Sequence, residues 1–409
     1  MHIKRILVVL FLSVSYFSQA QSIDHKKWVK VGGFVNYNLF YDSRQTVAAV
    51  DGLFLLYPQN EKLINGVDVN ANPSLTMLSL ASRLRADFKG PEVFGASTQG
   101  KIEADFTLVA GASTIRFRHA YISLNWSNFS LLAGRTWHPL FVEQCFPSTI
   151  GIATGAPFQP FSRTPQLRAD YRFRHINFQL AIVSQMDYAS DGPFGRSPNY
   201  MRQAVVPELS LRVAFQNQKW LLGLVTDIKT LKPRLTTEGT SGTFKASETL
   251  STYALKLYGK YLHKKWEAKA SVMLGQNLSD VLLAGGYGVS TFDSLTGKET
   301  YTPLSGHYSW INVLYGEKLK VGIFGGYYKN LGSTHQLVDS RKIWGRGLDI
   351  DQMIRIMPTV FYKVNDLQLG FEFEWDRVYY GDLDQSNGIV TNTHTVNACR
   401  ISADVTYFF

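Results

Sequence analysis

The sequence predicts an all-β chain: a transmembrane antiparallel up-and-down β-barrel of about sixteen strands, with short turns at one end and long loops at the other. Three observations carry this. Segments in which apolar and polar residues alternate recur along the chain, and the connections between them alternate between short and long. The composition is also unusual, because aromatic residues make up 13% of the chain while its mean hydropathy stays near zero. No apolar run beyond the first twenty residues reaches the length of a membrane-spanning helix. A chain rich in aromatics without being apolar suits a wall with one lipid face and one wet face.

Residues 1–20 read as a signal peptide. Lys4 and Arg5 form its basic start, Ile6 to Val14 its apolar stretch, and Ser18-Gln19-Ala20 the small-residue cleavage site, so residues 21–409 are the expected barrel domain. Gln21, not a cysteine, directly follows that site, so a lipid anchor is not expected. The expected location is the outer membrane of a Gram-negative cell. Removing Lys4 and Arg5 lowers the formal charge from +10 to +8, and export argues against nucleic acid as the partner of that basic balance. Cys145 and Cys399 are the only cysteines, one read in a loop and the other on an outward wall, and are expected to be unpaired.

The first strand reads Val29, Val31, Gly33, Val35, Tyr37, Leu39, Tyr41 on one face and Lys30, Gly32, Asn36, Asn38, Asp42 on the other, with Phe34 and Phe40 the exceptions on that second face. Further segments follow near residues 75–89, 96–107, 114–126, 129–138, 166–174, 177–185, 205–216, 219–231, 248–261, 265–276, 305–315, 318–329, 349–363 and 366–380. The last, 395–409, places Cys399, Ile401, Ala403, Val405, Tyr407 and Phe409 on one face. A terminal aromatic after such alternation resembles the signal read by the barrel assembly machinery, which makes Phe409 the expected point of contact. Two segments are irregular: in 129–138 the apolar Phe129, Leu131 and Ala133 are in phase with Arg135, and Pro358 is expected to mark a bulge in 349–363.

Short polar joints such as Ser127-Asn128, Asn217-Gln218, Gly316-Glu317 and Val364-Asn365 follow the even-numbered strands. Long connections, 43–74, 139–165, 186–204, 232–247, 277–304, 330–348 and 381–394, follow most odd-numbered ones. That asymmetry places the turns in the periplasm and the loops outside. The first strand begins within ten residues of the expected mature end, so a plugged, energy-coupled receptor is disfavoured.

A charge facing lipid at the bilayer midplane costs roughly 2–4 kcal/mol, so ionisable residues inside strands mark the wet face. Arg83 and Arg85 share one face of the second strand, Lys101, Glu103 and Asp105 of the third, Arg116 and Arg118 of the fourth, and Arg168, Arg172 and Arg174 of the sixth. Glu372, Glu374 and Asp376 align on the fifteenth. Arginines on one side and acids on another imply a transverse field across the lumen. Arg83, Arg85, Lys101, Glu103, Asp105, Arg116, Arg118, Arg135, Arg168, Arg172, Glu372 and Glu374 are therefore the pore-lining candidates, with small anionic solutes favoured. The bland alternative is a hydrogen-bonded network that only supports the wall. The loop 139–165 is rich in small residues, and if it folds inward Glu143 and Arg163 join Arg135 as candidates for a constriction.

Ser82-Arg83-Leu84-Arg85-Ala86-Asp87-Phe88, Glu103-Ala104-Asp105-Phe106, Arg116-Phe117-Arg118-His119-Ala120-Tyr121, Ala133-Gly134-Arg135-Thr136-Trp137 and Arg163-Thr164-Pro165-Gln166-Leu167-Arg168 resemble the front half of the DcaP-like porins. The resemblance covers roughly residues 75–175. It implies a sixteen-stranded homotrimer in outer-membrane lipid that passes small hydrophilic, often anionic, solutes by passive diffusion. A substrate-specific channel with a lumen binding site is the alternative.

Some outer-membrane barrels are enzymes, but little here supports catalysis. His2 and His25 lie in or near the signal region, and His119 is expected on the outward face as a subunit-contact residue. His138 beside Arg135 and Glu143 is the one constellation worth testing, and it lacks a serine partner at fixed spacing. No metal-ligand spacing appears, so no cofactor is expected. Gly285 to Gly288 is read in a loop with no helix after it, so it is not a phosphate cradle.

Overall fold

The computed structural model describes residues 28–107, 115–339 and 342–409. The signal peptide, its cleavage after Ala20, and His2 and His25 lie outside them. Sixteen antiparallel strands close into an up-and-down barrel. They are β1 (Val29–Asp42), β2 (Ser74–Leu78 and Arg83–Val93), β3 (Ala96–Asp105), β4 (Arg116–Asn125), β5 (Phe129–Trp137), β6 (Arg163–Phe173), β7 (Ile176–Val183) and β8 (Glu208–Gln216). The second half comprises β9 (Trp220–Leu231), β10 (Leu250–His263), β11 (Trp266–Gln276), β12 (Glu299–Gly316), β13 (Leu319–Ser333), β14 (Ile350–Val364), β15 (Leu367–Leu383) and β16 (Val390–Phe408). Closure is by β1 against β16, running from Phe34↔Phe408 to Asp42↔Arg400. No helix among the described residues is long and apolar enough to cross a membrane.

The alternation predicts which side chains face lipid. In β10 the outward Tyr253, Leu255 and Leu257 are exposed, while the inward Ala254, Lys256 and Tyr258 are buried. Closure removes the edges of the sheet within the membrane-spanning wall, which satisfies the backbone where no water can. β2 is interrupted at 79–82, and there Ser82 substitutes for the ladder, its hydroxyl accepting from Asn36 N at 3.0 Å and donating to Ser79 O at 2.9 Å.

Three expectations need correction. Pro358 marks no bulge, because Ile356↔Trp375 and Thr359↔Glu372 keep one register across it. Gly285–Phe292 is not a loop but a strand, extending the sheet above the barrel between β12 and Ile343–Arg346. The third is His119, which points inward. The pairing steps from Glu103↔His119 to Ala104↔Phe117, leaving Arg118 as the extra residue of a β-bulge. Phe117 and Ile122 are consequently both exposed although five residues apart, and Arg118 and His119 are both buried.

Candidate functional site

The lumen has two unlike flanks, and the first is built on β2, β3, β4 and β6. Cross-strand register sets Arg83 opposite Asp105, Arg85 opposite Glu103 and Asp87 opposite Lys101. Ion pairs follow directly: Arg83–Glu103 at 3.5 Å, Arg85–Asp87 at 2.8 Å, Lys101–Asp87 at 3.6 Å, Arg116–Asp105 at 3.4 Å and Arg118–Glu103 at 3.2 Å, with a second contact from Arg118 to Asp105. The guanidinium groups are not all satisfied by these acids. Arg163, at the start of β6, is 1% exposed and lies 3.4 Å above the ring of Trp137. None of its three nitrogens has a hydrogen-bond partner among the described residues, and Arg83 Nε and Arg118 Nη2 are likewise unpartnered. A buried guanidinium without an acceptor is costly, so this cluster favours an anion or water against it.

Towards the turns the same flank continues through Arg168, whose Nε is 2.9 Å from Asp170, and through Arg212 of β8, 4.0 Å from the same carboxylate. A cavity of about 350 Å³ opens there between Asp170, Arg172, Asn177, Arg212, Gln144 and Tyr258.

The opposite flank, β10 to β16, is closed by loops. Loop 139–162 folds into the barrel and is tied to the far wall at successive points. Lys256 donates to Leu140 O and to Gln159 Oε1, both at 2.8 Å, and Trp310 Nε1 donates to Gln159 Oε1 at 2.9 Å. Lys269 donates to Phe146 O at 3.0 Å, and Asn312 Oδ1 accepts from Ser148 N at 2.9 Å. The first loop enters as well, through the hairpin Thr46–Ala49 and Phe54–Pro58. Arg355 of β14 fastens both loops: its guanidinium donates to Leu55 O and Leu56 O at 3.1 Å and to Ala156 O at 2.8 Å, while Asp376 and Glu374 hold it from behind at 2.6 and 2.9 Å. Between loops and wall lies an apolar core that includes Phe54, Phe141, Phe158, Phe161, Leu282, Trp310, Phe324 and Met353. In this core burial pushes the Tyr57 hydroxyl up to about 12.

No family model matches the chain, and no curated protein matches it in sequence. Solved structures do resemble it in fold. The outer-membrane channel DcaP of Acinetobacter baumannii superposes with a TM-score of 0.68 at 15% identity, over 93% of this chain and 97% of that one. This is the porin fold. An anion-selective porin from Comamonas acidovorans gives 0.55 at 10% identity, and the trimer form of OmpT of Vibrio cholerae gives 0.53 at 11%, each over 93% of this chain and 99% of the other.

Within this porin fold the sequence candidates separate. Arg83, Arg85, Lys101, Glu103, Asp105, Arg116, Arg118, Arg168 and Arg172 fall on the first flank, and Arg163 joins them rather than the tip of a constricting loop. Glu143 stands apart, exposed on the turn side near Lys260 and Lys269. Glu372 and Glu374 do face inward, but they are buried under the loops, and the expectation that they meet solute is corrected: Glu372 accepts from Ile150 N at 3.2 Å and Glu374 pairs with Arg355. Arg135 is engaged by both carboxylate oxygens of Asp187.

Arg135, His138 and Glu143, the one constellation worth testing for catalysis, do not come together. His138 Nδ1 accepts from Leu140 N at 3.2 Å and its Nε2 lies 2.6 Å from Glu208 Oε1. With Asp227 these two make a buried His-Glu-Asp group whose possible ligand atoms lie within 4.8 Å of one another. The backbone bond to Nδ1 keeps the proton on Nε2, which makes that nitrogen a donor to Glu208 rather than a metal ligand. His119, expected on the lipid face, meets Thr136 Oγ1 at 3.1 Å inside. Asp170 and Arg212 were not among the sequence candidates; they stand two strands apart, and the register Asp170↔Gln179 and Gln179↔Arg212 brings them together across β7.

Proposed function

We propose that the chain is an outer-membrane porin through which small hydrophilic anions diffuse along the arginine flank. The observation that carries this is the group of buried guanidinium nitrogens, from Arg83, Arg118 and Arg163, that no described residue satisfies. Fixed cations beside a water-filled path raise local anion concentration and lower the barrier to anion entry. Arg83, Arg85, Lys101, Arg116, Arg168 and Arg172 line that path, and Glu103 and Asp105 hold the arginines in place.

The same observation favours a second reading, a solute-specific channel in which Arg163 and Trp137 form a binding point. We further propose that the chain works as a homotrimer in outer-membrane lipid, is exported by cleavage after Ala20, and is inserted by the barrel assembly machinery through Phe409. The fold it shares with porins supports these readings.

The test is conductance of the purified protein in planar bilayers under a potassium chloride gradient. A reversal potential on the chloride side that collapses in Arg163→Gln supports the proposal. Folded protein that gives no openings refutes it. Saturation of the current by one anion at millimolar concentration, but not by chloride, favours the specific channel.

A further inference from the structure

The turn end of the barrel carries a charge pattern that the lumen does not explain. Arg174, Lys219, Lys264, Lys265 and Lys318 stand at the tips of four successive turns, those joining β6–β7, β8–β9, β10–β11 and β12–β13, and all five are exposed. Among these tips only Glu317 is acidic, and it meets Lys265 at 3.6 Å. The other turn tips, Phe94-Gly95, Ser127-Asn128 and Asn365-Asp366, carry no base. The basic tips therefore form an arc along one side of the barrel rather than a ring.

The loop end is different in kind. There bases are interspersed with acids and several pair with them, as in Arg196–Asp191 at 3.1 Å and Lys298–Glu248 at 3.2 Å.

Beside the arc, on the outward face, lies a row of exposed aromatics: Phe173, Trp220, Trp266 and Tyr315. Trp220 packs on Tyr261 with ring centroids 4.3 Å apart, and Trp266 on Tyr315 at 4.7 Å. Outward aromatic girdles of this kind sit at the level of lipid headgroups. Each basic tip is within a few residues of the girdle, so its charge lies in the headgroup layer instead of projecting beyond it.

From this placement we infer that the arc from Arg174 to Lys318 is a binding surface for anionic phospholipid headgroups in the leaflet at the turn end. Lysine and arginine suit the headgroup phosphates, and the aromatic row anchors the same molecules at their glycerol level. Several bases acting together near an anionic surface select anionic over zwitterionic lipid by about tenfold or more. The inference does not depend on what passes through the lumen.

The experiment is native mass spectrometry of the full barrel, incubated with equimolar phosphatidylglycerol and phosphatidylcholine, with heat-modifiable gel mobility as the check of fold. The wild-type chain should retain phosphatidylglycerol in at least about tenfold excess. The variant Arg174→Gln/Lys219→Gln/Lys264→Gln/Lys265→Gln/Lys318→Gln should lose that excess, and the loop-end control Lys62→Gln/Lys245→Gln/Lys298→Gln should keep it. Equal retention of both lipids by the wild type, or equal loss in the control, overturns the inference. If single-site variants replace an unfolded fivefold variant, a stepwise fall in the excess supports the arc and a flat response overturns it. Loss of cosedimentation with cell-wall polymer, with lipid preference unchanged, would assign the arc to that polymer instead.

Discussion

The two flanks of the lumen carry the same kind of residue to opposite ends. On β2, β3, β4 and β6 arginines outnumber the acids beside them, and several of their nitrogens have no acceptor among the described residues. On β14, β15 and β16 the buried arginines are closed on acids: Arg355 with Glu374 and Asp376, and Arg400, which also donates to Gly52 O, with Asp42 of β1 at 2.7 Å. A buried arginine whose valences go to backbone carbonyls is a fastener, and one whose valences are open is a candidate for solute. What distinguishes them is not burial, since Arg118, Arg163 and Arg355 are all 1% exposed, but whether described residues accept their hydrogen bonds.

The largest expected effect is on the fastener. Arg355→Met removes the bonds to Leu55, Leu56 and Ala156 and leaves Glu374 and Asp376 buried without their cation, a loss of roughly 3–5 kcal/mol. Single-channel conductance should rise as both loops leave the wall. Adding Glu374→Gln and Asp376→Asn should recover much of the stability without restoring the conductance. An unchanged conductance would mean that the loop-packed flank does not limit the pore, and the contrast between flanks would fail.

Next comes the contact that lets the inner loop seat. A Cβ on Gly326 would meet the ring of Phe158 at 2.5 Å. Gly326→Ala should therefore cost about 1–3 kcal/mol by overpacking, read as a lower melting temperature in detergent with little change in ion preference. Lys256→Met should act in the same direction and less strongly, since it removes two bonds to the loop without burying a carboxylate alone. A shift in reversal potential larger than that of Arg163→Gln in either variant would place the solute path on the wrong flank.

The smallest effect is expected from Arg172→Gln at the turn-side mouth. Arg172 is exposed, so its field is screened by salt. Anion preference should fall by a few tens of per cent at about 10 mM salt, where the screening length is roughly 30 Å, and not measurably at 1 M. A change of equal size at both salt levels would show that Arg172 contacts solute directly.

Much of this was legible from residue order. β1, apart from Phe34 and Phe40, and the last stretch of β16 from Cys399 alternate, and the lengths of the joints distinguish turn end from loop end without any tertiary information. Gly134 shows where legibility stops. The segment Phe129–Trp137 has no clean face in the sequence, and in the fold Gly134 takes φ 132° with Ala120 O only 2.3 Å from where a Cβ would lie, so the strand passes too close to β4 for a side chain. That approach depends on a neighbour, as does the bulge that turns His119 inward.

By itself the sequence determined the strands, their faces and their order around the barrel, because a two-residue period and the length of a connection are local properties that lipid and water read directly. It also determined that Glu372 and Glu374 face inward. Only the tertiary structure decided that they are covered, that loop 139–162 and the first loop meet on Arg355, and that Arg163 stacks on Trp137 with no hydrogen-bond acceptor among the described residues. Those outcomes depend on which residues, up to 300 positions apart, arrive at the same guanidinium, as Leu55 and Arg355 do. Such a meeting is fixed by barrel closure and loop packing and leaves no periodic trace along the chain.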